Sequence, residues 1–246
     1  MTIPDIHRFS SLRSTNTEMA AQAAELPHGA VFVTDDQTAG RGQRGNTWEA
    51  APGENLTFSI LLRPRTISPA EAFAISMLTS LSIADALEAH LPGKRVMIKW
   101  PNDIYVDDLK LCGILIENSF CGMAIGSSII GIGINVNQQR FVSDAPNPVS
   151  MCNLTGHNLN LSALLNEVCT KILADFDAYE SAPNLNNLTK IYRARQWRGT
   201  GIYRWYDVIR NEEVEASILS VAPTGHLTLN TTPPRTYAFK ELSAIL

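Results

Sequence analysis

Apolar and polar positions follow two rhythms along the chain. Ala30-Val31-Phe32-Val33-Thr34 and Leu56-Thr57-Phe58-Ser59-Ile60-Leu61-Leu62 are continuous apolar runs of strand length, the pattern of buried strands. Ile6 to Leu12 reads as a short strand. Val96-Met97-Ile98-Lys99-Trp100 reads as another, broken by Pro101-Asn102-Asp103. Ile104-Tyr105-Val106 and Leu111 to Ile116 flank an Asp107-Asp108 turn, a hairpin signal. Ser127 to Asn137 is a further strand and carries the glycine pair Gly131-Ile132-Gly133. Strands joined by hairpins predict a mixed or mostly antiparallel sheet rather than a doubly wound one.

The second rhythm is helical. Thr15-Asn16-Thr17-Glu18 reads as a capping box opening an Ala-rich helix that ends near Pro27-His28-Gly29. Ser68-Pro69-Ala70-Glu71 is a second helix start, and Phe73, Met77, Leu81, Ala84 and Leu87 follow at core-facing spacing until Pro92-Gly93. Leu164, Leu165, Val168, Ile172, Leu173, Phe176 and Tyr179 define a strongly amphipathic helix, and Asn184 to Arg195 a shorter one. After Trp197-Arg198-Gly199 the period changes. Val208-Ile209-Arg210, Val214 to Leu219 and Leu227 to Leu229 read as short strands of a small β-barrel. The change of period divides the chain into residues 1–196 and 197–246.

Composition narrows the class. The 246 residues are 45% hydrophobic and 18% charged, as expected of a globular protein with a substantial core. The net charge of −4 offers no basic excess for nucleic acid, and no apolar run approaches the roughly 20 residues of a membrane-spanning helix. The N-terminus has no signal pattern, and Cys112, Cys121, Cys152 and Cys169 have no CxxC spacing. The expectation is a reduced, cytoplasmic protein without disulfides or structural zinc.

The stretch from Asp35 to Trp48 is the richest in candidate chemistry. Gly40, Gly42 and Gly45 let backbone N–H groups approach an anion, Arg41 and Arg44 supply fixed donors, and Trp48 offers a flat face. A solvated loop is the plainer reading. The spacing Gly40-x-Gly42-x-x-Gly45 matches the dinucleotide fingerprint, but Pro52 prevents the regular helix that must follow it. In Lys99-Trp100-Pro101-Asn102-Asp103, two charges bracket a strand end; Asp103 either orients a lysine or a magnesium ion, or bonds its own backbone in a turn. Lys110 is either an edge lysine that blunts pairing or the cation of a pocket mouth. Ser14-Thr15-Asn16 sits at a helix N-terminus, a cap that could also receive a small polar molecule. Cys112 lies in an apolar run and makes a poor nucleophile, and none of the five histidines has a catalytic context.

Together, Ser14-Thr15-Asn16, Gln37 to Gly45, Lys99 to Asp103, Lys110 to Leu115 and Gly131 to Asn135 resemble, in order and spacing, the biotin protein ligase family. The resemblance extends over essentially the whole chain. It implies an α/β (α+β) fold: a mixed, largely antiparallel sheet backed by helices, like the class II aminoacyl-tRNA synthetases, with a small C-terminal SH3-like β-barrel. It implies that biotin and MgATP give biotinyl-5′-adenylate and diphosphate. The adenylate would then acylate one lysine of the biotin carboxyl carrier domain of a carboxylase.

By resemblance, Ser14, Thr15, Asn16, Gln37, Gly40, Arg41, Lys110 and Gly113 bind biotin. Arg41, Arg44, Trp48, Asn102, Lys110 and Asn135 bind ATP or the adenylate. Lys110, Arg41, Arg44 and Asp103 carry the chemistry, with magnesium arriving with ATP near Asp103. The glycine loop is expected to order around the ligand. Gln43 replaces a third arginine found in many relatives and lowers the charge of the loop. Bifunctional relatives place a helix-turn-helix domain before the catalytic core. This chain reaches Ser14-Thr15-Asn16 almost at once, so the expectation is a ligase without operator binding. The resemblance also allows a homodimer that pairs sheets edge to edge. Lipoate or octanoate ligation is the rival enzyme reading, against which the Gly-Arg-Gly loop speaks. A non-catalytic biotin sensor is the rival binding reading, against which Lys110 and the arginines speak.

Overall fold

The computed structural model describes residues 2–42, 47–142 and 147–245. Seven strands form one sheet: β1 (Asp5–Leu12), β2 (Ala30–Gln37), β3 (Leu56–Leu62), β4 (Val96–Lys99), β5 (Asp103–Val106), β6 (Leu109–Cys121) and β7 (Ala124–Ile134). Their order is β1-β2-β3-β7-β6-β5-β4, and β1 with β2 is the parallel pair while the other pairs are antiparallel. The mixed sheet expected from the hairpins is therefore present, and each predicted strand of this region is found.

Strand side chains alternate between faces. Phe58 and Ile60 on β3, Ile130, Ile132 and Ile134 on β7, Cys112 and Ile114 on β6, and Ile104 on β5 all enter one large core. Helices α2 (Phe73–Glu88), α4 (Leu161–Ser181) and α5 (Leu185–Ala194) are backed onto that face. Helix α2 is buried on nearly every side, so its hydroxyls need internal partners: Ser80 donates to the Ser76 carbonyl, and Ser82 to the Leu78 carbonyl and the Asp175 carboxylate. Helix α1 (Thr15–Gln22) covers the opposite face through a small cluster of Met19, Ala30, Phe32, Leu61 and Ile129. A short helix, α3 (Met151–Thr155), follows β7 and is capped by Ser150.

The face under α1 is lined differently. The alternate positions are Thr57 and Ser59 on β3, Gly131 and Gly133 on β7, and Gly113, Leu115 and Glu117 on β6. Gly113 and Gly133 are direct cross-strand partners. Trp48 lies across this pair: a Cβ added at Gly113 would sit 2.9 Å from its ring, and one at Gly133 would sit 2.5 Å from its Nε1.

Three local expectations are corrected. Helix α1 is capped by Ser14, which accepts from the Thr17 amide, and not by Thr15; Glu18 bonds Gln22 instead of the cap. The helix ends at Gln22, well before Pro27. Pro69–Glu71 is a 3₁₀ turn leading into α2 rather than its first turn.

The C-terminal residues form two three-stranded antiparallel sheets, β13-β8-β9 and β10-β11-β12, compatible with an SH3-like barrel. The strands are β8 (Tyr203–Asp207), β9 (Glu212–Ala216), β10 (Ile218–Val221), β11 (Leu227–Leu229), β12 (Arg235–Tyr237) and β13 (Leu242–Ala244). Val208-Ile209-Arg210, expected as a strand, is the turn between β8 and β9. Val214 to Leu219, expected as one strand, is split between the two sheets. The turn is held by Asp207. Its buried carboxylate accepts from the Arg210 amide (2.9 Å), the Arg210 guanidinium (3.0 Å) and the Tyr237 hydroxyl (2.8 Å). Burial alone would raise this carboxyl, but these hydrogen bonds and the charge of Arg210 outweigh it and hold the pKa below the ordinary carboxylate value.

Two predictions arise from this fold. Asp207→Ala, which strips a buried hydrogen-bond centre, lowers the free energy of unfolding by roughly 3 kcal/mol in urea titrations. Because the pKa is depressed in the folded state, the contribution of Asp207 is present above the unfolded carboxyl pKa. It is lost as pH falls through the folded value, so the gap between wild type and variant closes in acid. Gly133→Ala drives a methyl group into Trp48 and costs about 1–3 kcal/mol. It also shifts the Trp48 emission, measured against a Trp48→Phe control.

Candidate active site

A cleft of about 1040 Å³ opens on the α1 face of the sheet. Its walls include Ser14, Thr15, Asn16, Gln37, Arg41, Trp48, Asn102, Asp103, Lys110, Gly113 and Asn135. The segments that carried the resemblance, far apart in sequence, thus converge on one cavity. Gly40 lies just outside the wall, where a Cβ would meet the Trp48 carbonyl and the Gln37 carboxamide. Arg44 and Gln43 lie outside the described residues.

One end of the cleft is a polar network. Gln37 Oε1 accepts from the Thr15 amide at 2.9 Å. The Ser59 hydroxyl lies 2.7 Å from Thr15 Oγ1 and 2.5 Å from Asn16 Oδ1, with one proton to share between them. Asn16 Nδ2 donates to Glu117 at 2.7 Å, and the same carboxylate oxygen receives Arg41 at 3.1 Å. Asn16 can reach across the sheet because Gly131 has no side chain in its path. The corrected cap explains the division of labour: Ser14 satisfies the helix, leaving the Thr15 and Asn16 side chains to the network.

The other end is cationic. Lys110 Nζ lies 2.8 Å from Asp103 Oδ1 and 5.8 Å from the centre of the Trp48 ring. Regular alternation from Cys112 would turn Lys110 into the core. A bulge between β5 and β6 pairs Tyr105 with Lys110 and Ile104 with Cys112, so Leu111 is the extra residue and enters the core. The bulge therefore places Lys110 on the face of Asp103 and Tyr105. Asn102 donates to the Ile114 carbonyl, and Asn135 donates to the Val149 carbonyl at 3.1 Å. Both asparagines thereby brace the backbone around the cleft. The Trp48 Nε1 and Asn135 Oδ1 atoms are buried without a partner among the described residues.

The cleft also holds residues beyond the predicted set. Lys99 and Tyr105 line it, with Trp197 from the chain after α5 and Trp205 from β8. Glu117 and Ser59 anchor its polar end. Glu117 and Tyr105 lie at even spacing from Gly113 and Asp103 on their strands, so the two-residue period alone places them on the site face. Nothing in the sequence marks Trp197. Burial pushes the Cys112 thiol far above its ordinary value, with Asp103 adding to the rise, which agrees with a structural thiol.

The constellation can bind an anion between paired cations and can hold a polar ring against hydroxyls and amides. It presents no activated nucleophile among the described residues.

Comparisons with known proteins agree with this geometry. Residues 8–135 match the model of the biotin/lipoate A/B protein ligase family. The biotin--[acetyl-CoA-carboxylase] ligase of Paracoccus denitrificans is 34% identical over 181 residues, covering 70% of this chain and 75% of that protein. The bifunctional ligase/repressor BirA of Bacillus subtilis is 38% identical over 131 residues, covering 53% of this chain and 39% of that protein. The match thus spans about two fifths of that longer relative. In fold, the biotin protein ligase of Aquifex aeolicus, solved with biotin and ATP, superposes with a TM-score of 0.78 over 97% of each chain at 21% identity. By sequence and by architecture, this chain belongs to the biotin/lipoate A/B protein ligase family.

Proposed function

We propose that the chain is a biotin protein ligase. It activates biotin with MgATP to biotinyl-5′-adenylate and diphosphate, then transfers the biotinyl group to one lysine of a biotin carboxyl carrier domain. The observation that carries this reading is the convergence of Lys110, Asp103 and Arg41 with the Thr15–Asn16–Gln37 network in one cleft.

The chemistry follows from charge. A carboxylate attacking an α-phosphorus brings two anions together, so fixed cations must offset the repulsion and the charge that develops. Lys110, paired with Asp103 in the wall of the same cleft, is read as touching both a biotin carboxylate oxygen and the phosphate. Arg41 is held nearby by Glu117 and supplies a second cation; Arg44 is assigned the third. Ser14, Thr15, Asn16, Gln37, Gly40 and Gly113 are read as the biotin seat. Trp48, Asn102 and Asn135 are read as the nucleotide seat, with the unpartnered Trp48 N–H available to a ligand acceptor. Among the described residues no group of three or more His, Cys, Asp or Glu could hold a metal by itself. Magnesium coordinated chiefly by phosphate oxygens, with Asp103 as a carboxylate at its side, fits this donor set. Asp103 is also assigned a part in deprotonating the acceptor lysine. The adenylate is already an activated acyl group, so no enzyme nucleophile is required.

The same reading takes the chain as two units, 1–196 and 197–246. All strands of the large sheet precede this boundary and those of the two small sheets follow it. It places the protein in the cytoplasm, without nucleic acid or membrane as partner and open to homodimer formation. The net charge is −4, and among the described residues no helix is long and apolar enough to cross a membrane.

Two outcomes are expected. Supplied with MgATP, an apo-carrier domain and either biotin or lipoate, the protein adds the mass of one biotinyl group (biotin less water) to one carrier lysine; labelling by lipoate alone overturns the reading. Lys110→Ala lowers diphosphate release from biotin and MgATP by roughly 10²–10³-fold, the scale of losing one aimed charge donor. Release at the wild-type rate removes Lys110 from the mechanism.

A further inference from the structure

Lys99 is a cation for which the assigned roles give no use. It lines the cleft at the end of β4, directly across the hairpin from Asp103. Its ammonium donates to the Tyr105 hydroxyl at 3.0 Å and lies over two ring faces, 4.8 Å from the centre of Tyr105 and 5.5 Å from that of Trp197. Every one of these partners is neutral. Among the described residues no carboxylate forms an ion pair with Lys99, and the nearby Asp103 is already taken by Lys110 at 2.8 Å. A second cation, Arg198, stacks on the same Trp197 at 4.2 Å from its centre.

A half-buried ammonium with only neutral partners is held at a cost in solvation. Burial lowers the Lys99 pKa, and the charges of Lys110 and Arg198 lower it further against the opposing pull of Asp103. An arriving anion would offset both the lost solvation and the repulsion from Lys110 and Arg198. The neighbouring hydroxyl reinforces the case. Tyr105 accepts a hydrogen bond from Lys99, with Asn147 as a second side-chain partner, so its O–H points away from the ammonium, and burial raises its pKa so that it stays protonated.

We infer that Lys99 and Tyr105 form the seat of the leaving diphosphate, separate from the Lys110–Asp103 pair at the reacting phosphorus. The inference rests on the proposed ligase reading. In the activation step a biotin carboxylate oxygen forms a bond to the α-phosphorus. The bond from that phosphorus to the α–β bridging oxygen breaks, and its electron pair leaves with the diphosphate. No proton or redox partner is required. Lys110 then stays with the acyl phosphate while Lys99 takes the departing charge. Trp197 fixes Lys99 from the side, because its backbone amide bonds the Ile98 carbonyl and its indole N–H bonds Asp108.

The test is calorimetric titration of the ligand-free protein with inorganic diphosphate, which needs no turnover. Lys99→Met, which keeps the apolar stem over the rings, weakens binding by about tenfold or more, the scale of one lost charge-assisted hydrogen bond. Lys99→Arg stays within a few-fold of wild type, and Tyr105→Phe weakens binding by a few-fold. In turnover, Lys99→Met raises the inhibition constant for diphosphate at least ten times more than it slows acyl transfer from synthetic biotinyl-5′-adenylate. Equal affinity of wild type and Lys99→Met for diphosphate, no binding by the wild type, or equal loss in the two half-reactions overturns the inference. Diphosphate binding that follows this order in a protein unable to adenylate biotin supports the anion seat and overturns the ligase reading instead.

Discussion

The site depends on a sheet that is dry on one face and nearly bare on the other. The central strands β3, β7 and β6 send isoleucine, leucine and phenylalanine into the helix-backed core. At the intervening positions that floor the cleft they carry Thr57, Ser59, Gly113, Gly131 and Gly133, with Leu115 and Glu117 beside them and Leu61 and Ile129 packed under α1. Apolar burial on the first face fixes register, because a one-residue slip would exchange the two sets of side chains. Register in turn sets Gly113 beside Gly133 and places Gly131 opposite Asn16. Three missing side chains are the reason an indole and a carboxamide can lie on the backbone, and much of the cleft is the space they leave.

Among the described residues on that floor, Arg41 and Lys110 are held in ion pairs and Lys99 is not. Lys110 is matched to Asp103 and Arg41 to Glu117, so two cations stand ready in fixed positions while the cleft stays tolerable to its low-dielectric surroundings. Such pairs near a surface contribute little to stability, Arg41–Glu117 least because both side chains are about half exposed. Their value is orientation: a donor already aimed needs no reorganisation when negative charge develops. Lys99 breaks the pattern: its direct partners are the neutral Tyr105 hydroxyl and two aromatic faces, so an incoming anion would be its counter-charge.

Much of this was legible in the sequence, for reasons that differ by region. Long apolar runs such as Leu56 to Leu62 and the helical stripe from Leu164 to Tyr179 have tertiary burial that agrees with local pattern; the first coincides with β3 and the second lies within α4. The small C-terminal sheets were read poorly. Their strands are three to five residues long, too short to show a period. Val208-Ile209-Arg210 looks apolar enough for a strand, yet Asp207 draws Arg210 into a turn through two hydrogen bonds, while a third, from the sequence-distant Tyr237, holds the carboxylate in place. The site motifs were legible as residue types, but their joint geometry was not. The bulge at Leu111 leaves no mark in the sequence, although it decides which way Lys110 points. Glu117 was within reach of simple alternation, whereas Trp197 arrives at the site only because the chain after α5 pairs with the edge of β4.

The small C-terminal sheets also shape the cleft. Trp205, Ile218, Leu242 and Ser243 contribute to the wall of the same cleft as Lys110. The contact is also directional. Trp100, in the turn that carries Asn102 and Asp103, donates its indole N–H to the Gly225 carbonyl at 2.8 Å and packs on Phe239. Gly225 can occupy that place because its positive φ suits glycine and because a Cβ there would strike Phe239 and Phe73. The turn holding the Asp103 carboxylate is therefore clamped from the C-terminal side, and the hairpin that presents Lys99 is clamped with it. A cleft whose charged turn is fixed in this way takes its shape from the C-terminal sheets as well as from the large one.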